Sequence, residues 1–294
     1  MSRNRHAFDA TDPTGLTPPS VTLSDRDFQK VSDIVYRLAG INLHAGKREL
    51  VLARLSKRIR QLGMNSVGEY LAHVREQRTQ EELITMLDAL STNLTSFWRE
   101  SQHFDYVVQK TIPAIAARSR QGGDRRIRGW SAGCSTGEEP YGLAMLFLHH
   151  LDQADRYDLQ VLATDLSTRV LGVARTGIYS AERVKPIPKE IRRRFVEEET
   201  TPYGKQYRVS SEVKQHVRFA RLNLMDDWPM KGPFDFVFCR NVMIYFDKPT
   251  QARLVKRFCD LLRPGGTLFV GHSESLAGVD HDFRYVRPTV YERP

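Results

Sequence analysis

The spacing of apolar residues divides the chain into two parts with different periodicities. Between residues 23 and 92, apolar positions such as Phe28, Val31 and Val35 recur every three or four residues, and no strand pattern interrupts them. This spacing is typical of amphipathic helices, so we expect a small helical bundle here. The predicted helices cover residues 24–39, 45–62, 66–75 and 79–90.

From about residue 125, short strand-like runs alternate with helical ones. The run 234–239 is apolar without alternation, as expected of a strand whose two faces are both buried. Alternating strands and helices predict an α/β fold built on a mostly parallel, doubly wound sheet. The predicted strands are 126–132, 159–164, 217–222, 234–239 and 266–271, the predicted helices are 139–151, 168–175 and 250–262, and a hairpin-like pair closes the chain at 283–291.

One stretch interrupts this alternation. Residues 177–215 are polar, contain three prolines and hold a candidate pair of short strands near residue 207, which together predict a small inserted β-subdomain. The expected organisation is a mobile tail over 1–22, a helical domain over 23–92, a linker and strap over 93–124, and a sheet domain over 125–294 with the β-subdomain at about 177–215.

Composition and charge narrow the class of protein. Of 294 residues, 40% are hydrophobic, which excludes a wholly disordered chain, and the formal charge of +9 points to an acidic partner. The three cysteines form no CxxC and no Cys or His pair has zinc spacing, so we expect neither a disulfide framework nor a metal site. There is no signal-peptide pattern and no apolar run of membrane-spanning length. We therefore expect a cytoplasmic protein.

Residues 130–140 read WSAGCSTGEEP, follow a predicted strand and lead into a helix. Glycines in such a loop let the backbone approach a ligand. The G-x-G-x-x-G spacing of dinucleotide sites is missing, and the carboxylates of Glu138 and Glu139 would repel a pyrophosphate. Two carboxylates suit a ligand with a cationic amino group, which points away from NAD and toward an aminoacyl nucleoside such as S-adenosylmethionine.

The same loop also matches G-x-S-x-G, the nucleophile elbow of serine hydrolases, with Ser135 as the nucleophile. A hydrolase would need an acid and a histidine further along the chain, and His272 is a candidate for the base. It would also need an oxyanion loop, and no HGGG-like segment precedes the elbow. A serine hydrolase is therefore the alternative interpretation.

Three further segments are expected to border the same edge of the sheet. Asp165 ends the second strand, where an acidic residue either binds ribose hydroxyls or caps the next helix. Arg240 and Asn241 follow the strand 234–239, and Tyr245 is close enough in sequence to reach the same crevice. The segment 92–100 (TNLTSFWRE) interleaves polar and apolar residues, so it is either a plain connection or a strap that covers a ligand.

Five segments together resemble the CheR family of chemoreceptor glutamate methyltransferases: TNLTSFWRE, SAGCSTGEEPYG, ATDLS, FDFVFCRNVMIYFDK and LRPGGTLFVGHSES. The resemblance covers residues 24–292, and the segments occur in the family's order. It implies an N-terminal helical domain and a Rossmann-like class I methyltransferase domain with an inserted β-subdomain. It also implies methyl transfer from S-adenosylmethionine to glutamates on the cytoplasmic helices of chemoreceptors, with S-adenosylhomocysteine as the product.

The resemblance further implies which residues form the site. Arg99 and Tyr245 match residues near the transferred methyl group, and would be the catalytic residues. The residues that match cofactor contacts are Asn93, Thr95, Arg99, Glu139, Asp165, Asn223, Leu224, Arg240 and Asn241. A non-catalytic receptor-binding module is a second alternative, and the presence of these residues argues against it.

Helix 45–62 is the candidate dock for the receptor, because its basic residues lie off the apolar stripe. They are Lys47, Arg54, Lys57 and Arg58. A solvated basic face is the plain interpretation, and the family resemblance favours docking of acidic receptor helices. Residues 197–202 (EEETTP) lack the Gly-x-Gly with which some family members bind a receptor C-terminal pentapeptide, so that contact is not predicted. We expect no nucleic-acid partner and no membrane insertion.

Overall fold

Four α-helices form the N-terminal domain of the computed structural model, which describes residues 21–76, 81–91, 93–202 and 204–294. Helix α1 begins after Ser24, whose side chain accepts a hydrogen bond from the Asp27 amide, and ends at Gly40, whose φ is 70°. Residues 1–20 of the predicted tail lie outside the described residues, and Val21 is buried against the domain. The helices are α1 (Asp25–Ala39), α2 (Arg48–Gln61), α3 (Val67–Glu76) and α4 (Glu81–Leu90).

A helical connection leads from this domain to the sheet. It contains α5 (Ser101–Tyr106), one π-helical turn (Val107–Thr111) and α6 (Ile112–Arg120). The segment before α5, residues 93–100, has no regular secondary structure and is the predicted strap.

Seven strands form the main sheet, and the first five in chain order run parallel. These are β1 (Arg126–Ala132), β2 (Asp158–Asp165), β6 (Val217–Arg221), β7 (Phe234–Cys239) and β8 (Leu262–Val270), and the antiparallel hairpin of β9 (Arg284–Arg287) and β10 (Val290–Glu292) completes the sheet. The spatial order is β6-β2-β1-β7-β8-β10-β9, so the chain switches sides between β1 and β7. Ligands of open α/β sheets bind at the carboxyl edge of such a switch point.

Helices α7 (Glu138–His150), α8 (Thr168–Thr176) and α12 (Lys248–Leu261) connect these strands. Side chains of β7 alternate between two apolar clusters: Phe236 and Phe238 belong to one, and Val237 belongs to the other. Both faces of the strand are therefore buried, as its apolar sequence predicts. Among the described residues, no helix has the length and hydropathy of a membrane span.

The polar stretch after α8 folds into a second, smaller sheet. Strands β3 (Ile178–Tyr179), β4 (Val196–Thr201) and β5 (Gly204–Val209) are antiparallel in the order β3-β5-β4, with short helices α9 (Ala181–Val184), α10 (Lys189–Phe195) and α11 (Ser211–Lys214) around them. The predicted α/β fold, with an N-terminal helical domain and an inserted β-subdomain, is confirmed.

Candidate active site

One crevice lies at the carboxyl ends of β1, β2, β6 and β7, and residues of the helical domain such as Ile41, Leu43 and Lys47 form its opposite wall. The strap borders the same crevice. Every site residue predicted from the sequence lines it: Asn93, Thr95, Arg99, Glu139, Asp165, Asn223, Leu224, Arg240, Asn241 and Tyr245.

The loop after β1 forms the floor of the crevice. Gly133 has a φ of 80°, and a Cβ added there would lie 2.4 Å from a methyl group of Val242, so only glycine fits without displacement. The amides of Gly133 and Cys134 both donate to the carbonyl of Thr164, at 2.8 and 2.9 Å. The loop is thereby fixed to the end of β2, and Gly133, Cys134 and Ser135 line the crevice.

The two glutamates at the start of α7 have different surroundings. Glu138 is fully buried and does not line the crevice; it contacts Arg183 at 2.7 Å and accepts a hydrogen bond from Thr136. Burial raises the pKa of the Glu138 carboxyl above its usual value. Glu139 therefore lines the crevice and Glu138 does not, so the expectation that both carboxylates face a ligand is wrong for Glu138.

Asp165 joins the glycine loop to the end of β2. Its two carboxylate oxygens accept hydrogen bonds from the amides of Ser135 at 2.8 Å and Ser167 at 2.9 Å. Burial raises the pKa of the Asp165 carboxyl, and these two amides oppose that effect. Ser167 caps α8 by accepting from the Val170 amide, so the helix-cap interpretation of Asp165 is wrong. Each oxygen keeps lone pairs for a ligand hydroxyl.

The Arg240 side chain points into the protein behind the strap and is 3% exposed. Its Nε donates to Glu139 at 2.6 Å, and its Nη1 donates to the backbone carbonyl of Arg99 at 2.6 Å. The Glu139 carboxylate also accepts from Ser131. Arg240 therefore connects the strap to the start of α7.

The strap is held in place at several points. Nη1 of Arg99 donates to the carbonyl of Leu94 at 2.9 Å, and Oγ of Ser135 donates to the carbonyl of Asn93 at 2.8 Å. Trp98 stacks on Phe104 with ring centroids 5.1 Å apart. The strap thus contacts the glycine loop and borders the crevice.

The loop after β6 contacts the helical domain. The Asn223 amide nitrogen donates to the carbonyl of Leu38 at 2.6 Å and to Asp226 at 3.0 Å. Its amide oxygen accepts from the Met225 amide. The Asn223 side chain therefore orders this loop against α1.

Glu274, which was not predicted as a site residue, organises the loop after β7. This buried carboxylate accepts hydrogen bonds from the amides of Asn241, Ile244 and Gly271. Burial raises the pKa of Glu274, against the effect of these amides. It lies in the HSES segment just after β8. Its position at the carboxyl edge of the sheet could have identified it as a site residue from the sequence.

Tyr245 follows this loop in a single 3₁₀ turn, Met243–Tyr245. Its carbonyl accepts a hydrogen bond from the Asn42 amide at 2.8 Å, and its ring lines the crevice. The helical domain therefore helps to position this tyrosine.

The hydrolase interpretation finds no support in these contacts. Oγ of Ser135 donates to a backbone carbonyl, and no described hydrogen bond connects it to a histidine. The ring of His272, the candidate base, packs instead against His103 with centroids 5.5 Å apart.

One group in the described part of the chain has metal-ligand chemistry: Glu100, His103 and His272, whose ligand atoms lie within 4.8 Å of one another. Nη1 of Arg240 is 3.4 Å from Glu100 and 3.2 Å from Nδ1 of His103. The guanidinium already supplies positive charge at this position, which disfavours a metal ion.

Comparison with known proteins identifies the family. A model described as CheR methyltransferase, SAM binding domain, matches residues 93–291, and one described as CheR methyltransferase, all-alpha domain, matches residues 26–91. Chemotaxis protein methyltransferase 2 of Pseudomonas aeruginosa is 43% identical over 266 residues, which are 90% of this chain and 92% of that protein.

Two further relatives agree. Chemotaxis protein methyltransferase of Klebsiella aerogenes is 43% identical over 92% of this chain and 90% of its own length. The protein of that name from Escherichia coli is 40% identical over 92% of each chain. The resemblance inferred from five segments is confirmed, and neither alternative is supported. The chain therefore belongs to the CheR family of methyltransferases, and residues 93–291 form its S-adenosylmethionine-binding domain.

Proposed function

We propose that this enzyme methylates glutamate side chains of chemoreceptors in the cytoplasm and forms glutamate methyl esters. The observation that carries the proposal is the convergence of strap, glycine loop and strand ends on one crevice. The relatives named above are chemotaxis protein methyltransferases. Arg99 and Tyr245, which match residues near the methyl group in the family, line this crevice together.

The residues of the crevice fit S-adenosylmethionine chemically. Asp165 offers carboxylate oxygens to ribose hydroxyls, and Glu139 offers a carboxylate to a cationic amino group. The remaining contacts that we assign to the cofactor come from Asn93, Thr95, Arg99, Leu224 and Asn241. Because the Arg240 and Asn223 side chains have internal partners, we assign their role to holding the strap and the β6 loop.

The reaction requires no general base. When bound, S-adenosylmethionine supplies an electrophilic methyl group on a sulfonium sulfur. A glutamate with a reference pKa of about 4.3 is ionised at neutral pH, so its oxygen is already nucleophilic. A bond from this oxygen to the methyl carbon would form as the carbon–sulfur bond breaks, so that the opposite charges are neutralised. The protein contributes alignment and exclusion of water.

Arg99 would orient the acceptor carboxylate. One of its guanidinium nitrogens contacts the Leu94 carbonyl, and a guanidinium has five N–H donors, so donors remain for the acceptor. Tyr245 would supply a hydroxyl contact near the methyl group or the carboxylate. Both roles concern positioning, since strong binding of the nucleophile would stabilise the ground state.

The receptor would dock on helix 45–62, but the basic residues that contact it differ from those expected from the sequence. Arg54 donates to the carbonyl of Leu90, and Arg58 donates to Glu82, so both have partners inside the helical domain. Lys47 and Lys57 are exposed, and Lys47 also lines the crevice. These two lysines are the better candidates for contact with an acidic receptor helix.

Calorimetry with S-adenosylhomocysteine and labelled methyl transfer onto receptors test the proposal. We expect micromolar or tighter binding, about −8 kcal/mol at 1 μM, and base-labile label on receptor glutamates. Asp165→Ala should weaken binding, whereas Asp158→Ala, at the exposed opposite end of the same strand, should not. Equal binding by the Asp165→Ala and wild-type proteins removes Asp165 from the site, and label that resists base rules out a methyl ester.

A further inference from the structure

A buried histidine lies behind the strap and has no part in the proposed cofactor contacts. His103, in α5, is 1% exposed. Its Nε2 is 2.7 Å from Oγ1 of Thr289, and its Nδ1 is 3.2 Å from Nη1 of Arg240. Neither His103 nor Thr289 lines the crevice.

The neighbours of this imidazole determine where its proton lies. A guanidinium only donates, so Nδ1 must accept from Arg240. The Thr289 hydroxyl donates to the carbonyl of Pro288 at 2.6 Å, so its oxygen accepts from Nε2–H. The imidazole is therefore neutral with its proton on Nε2. Burial, together with Arg240 and His272, lowers the pKa of His103 to about 3, in agreement with this assignment.

The strap segment held by Arg240 is conformationally strained. Trp98 and Glu100, on either side of Arg99, both have a φ of 55°, a region that residues other than glycine rarely adopt. The carbonyl between these two residues is the one that accepts from Nη1 of Arg240. The orientation of this guanidinium therefore affects the backbone conformation at Arg99.

Thr289 is itself fixed to the sheet. It lies in the β9–β10 turn with a φ of 64°, is 8% exposed, and its carbonyl accepts from the Val270 amide at 3.0 Å. The contacts thus run without a break from the end of β8 through Thr289, His103 and Arg240 to the strap.

We propose that His103 and Thr289 are positioning residues for methyl transfer, which fix the Arg240 guanidinium and through it the backbone at Arg99. The inference rests on the role assigned to Arg99 under the proposed function. It adds two residues that contact neither cofactor nor acceptor and that act through the geometry of the strap.

The test compares three threonine variants. Thr289→Val removes the hydroxyl but keeps the branched shape, and leaves Nε2–H without an acceptor, whereas Thr289→Ser keeps the hydroxyl. Thr111→Val is the matched control: Thr111 is also 8% exposed, and its hydroxyl has no hydrogen-bond partner among the described residues.

We expect Thr289→Val to lower kcat about tenfold with receptor KM unchanged, because misplacement of an aligning residue affects the transition state more than binding. Thr289→Ser should restore kcat to within about twofold of the wild type, and Thr111→Val should match the wild type. Equal kcat in the Val and Ser variants would overturn the proposal.

Hydrogen–deuterium exchange of residues 93–100 supplies a readout that needs no receptor. Exchange should be faster in Thr289→Val than in Thr289→Ser or Thr111→Val, and wild-type exchange in all three would overturn the proposal. If Thr289→Val does not fold, His103→Asn, which also loses the contact with Thr289, takes its place in both measurements. A wild type that methylates no receptor contradicts the proposed function, while the exchange result still decides whether His103 and Thr289 order the strap.

Discussion

A network of arginine, glutamate and an aromatic ring in the helical domain contrasts with one in the sheet domain. In the helical domain, Nε and Nη2 of Arg58 both donate to Glu82, and the Tyr70 hydroxyl donates to the same carboxylate at 2.8 Å. In the sheet domain, Arg240 divides its donors between Glu139, a strap carbonyl and His103. In the first network, which we call closed, both donors share one carboxylate. In the second, which we call branched, one arginine contacts three separate groups.

The two arginines differ in exposure and in the elements that they join, and these differences indicate the role of each network. Arg58 joins α2 to α4, keeps 34% of its side chain exposed and touches nothing that lines the crevice with its charged group. Arg240 is 3% exposed and joins the strap to α7, both of which border the crevice. The same residue types therefore stabilise a domain in one place and set the geometry of a site in the other.

Arg240→Met should have the largest effect. It leaves the buried Glu139 without its cation, and breaking a buried pair in this way costs about 3–5 kcal/mol. Methyl transfer should fall by about a hundredfold or more in the protein that remains folded, because the strap loses its anchor. Urea unfolding and methyl-transfer rates measure the two effects. Arg58→Met is the control, and an equal loss of activity per folded molecule there would contradict the contrast between the networks.

The closed network of Arg58, Tyr70 and Glu82 should instead make the free energy of unfolding depend on pH. Hydrogen bonds from Arg58, with a smaller contribution from Tyr70, hold the pKa of Glu82 below 4.5 against the effect of burial. The stabilisation is therefore complete above the unfolded-state pKa of 4.5 and is lost as the pH falls through the lower folded-state value.

Glu82→Gln removes this titration and should flatten the pH dependence of stability below the unfolded-state pKa of 4.5. Urea unfolding at several pH values measures it, with Glu81→Gln, at an exposed position next to Glu82, as the control. An unchanged pH dependence in Glu82→Gln would show that other groups control acid unfolding.

Ser135→Ala tests a weaker contact, the hydrogen bond between the glycine loop and the strap. The hydroxyl donates to the Asn93 carbonyl at the start of the strap, and a hydrogen bond of this kind contributes about 0.5–1.5 kcal/mol. Methyl transfer should stay within about an order of magnitude of the wild type. An esterase activity present in the wild type and absent in the variant would revive the hydrolase interpretation.

The smallest effects are expected at two exposed lysines, Lys57 in α2 and Lys47 directly before α2. Lys47→Glu combined with Lys57→Glu should raise receptor KM, although each exposed contact contributes only about 0.2–1 kcal/mol. The receptor-dependent rate should also fall as ionic strength rises. Lys57→Glu alone should leave S-adenosylhomocysteine affinity unchanged, because Lys57 does not line the crevice. Wild-type KM at low salt would mean that these two lysines are solvated. Arg54→Glu with Arg58→Glu is unsuitable here, because it would disturb the domain itself.

The sequence by itself determined the architecture of this protein and the position of its site. Helical periodicity before residue 92 and strand–helix alternation after residue 125 are local patterns, and each follows from which face of an element is buried. Motifs at strand ends meet at the carboxyl edge of a parallel sheet, so Asp165, Asn241 and Tyr245 were predicted to share one crevice, and they do.

Only the tertiary structure decided which partner each charged side chain found. Glu138 pairs with Arg183 while Glu139 lines the crevice, and Arg58 pairs with Glu82, 24 positions away in sequence. The contact of Arg240 with His103 spans 137 positions. Local spacing carries no information about such pairs, because a buried charge is stabilised by whichever groups the packing of distant elements brings within hydrogen-bond distance.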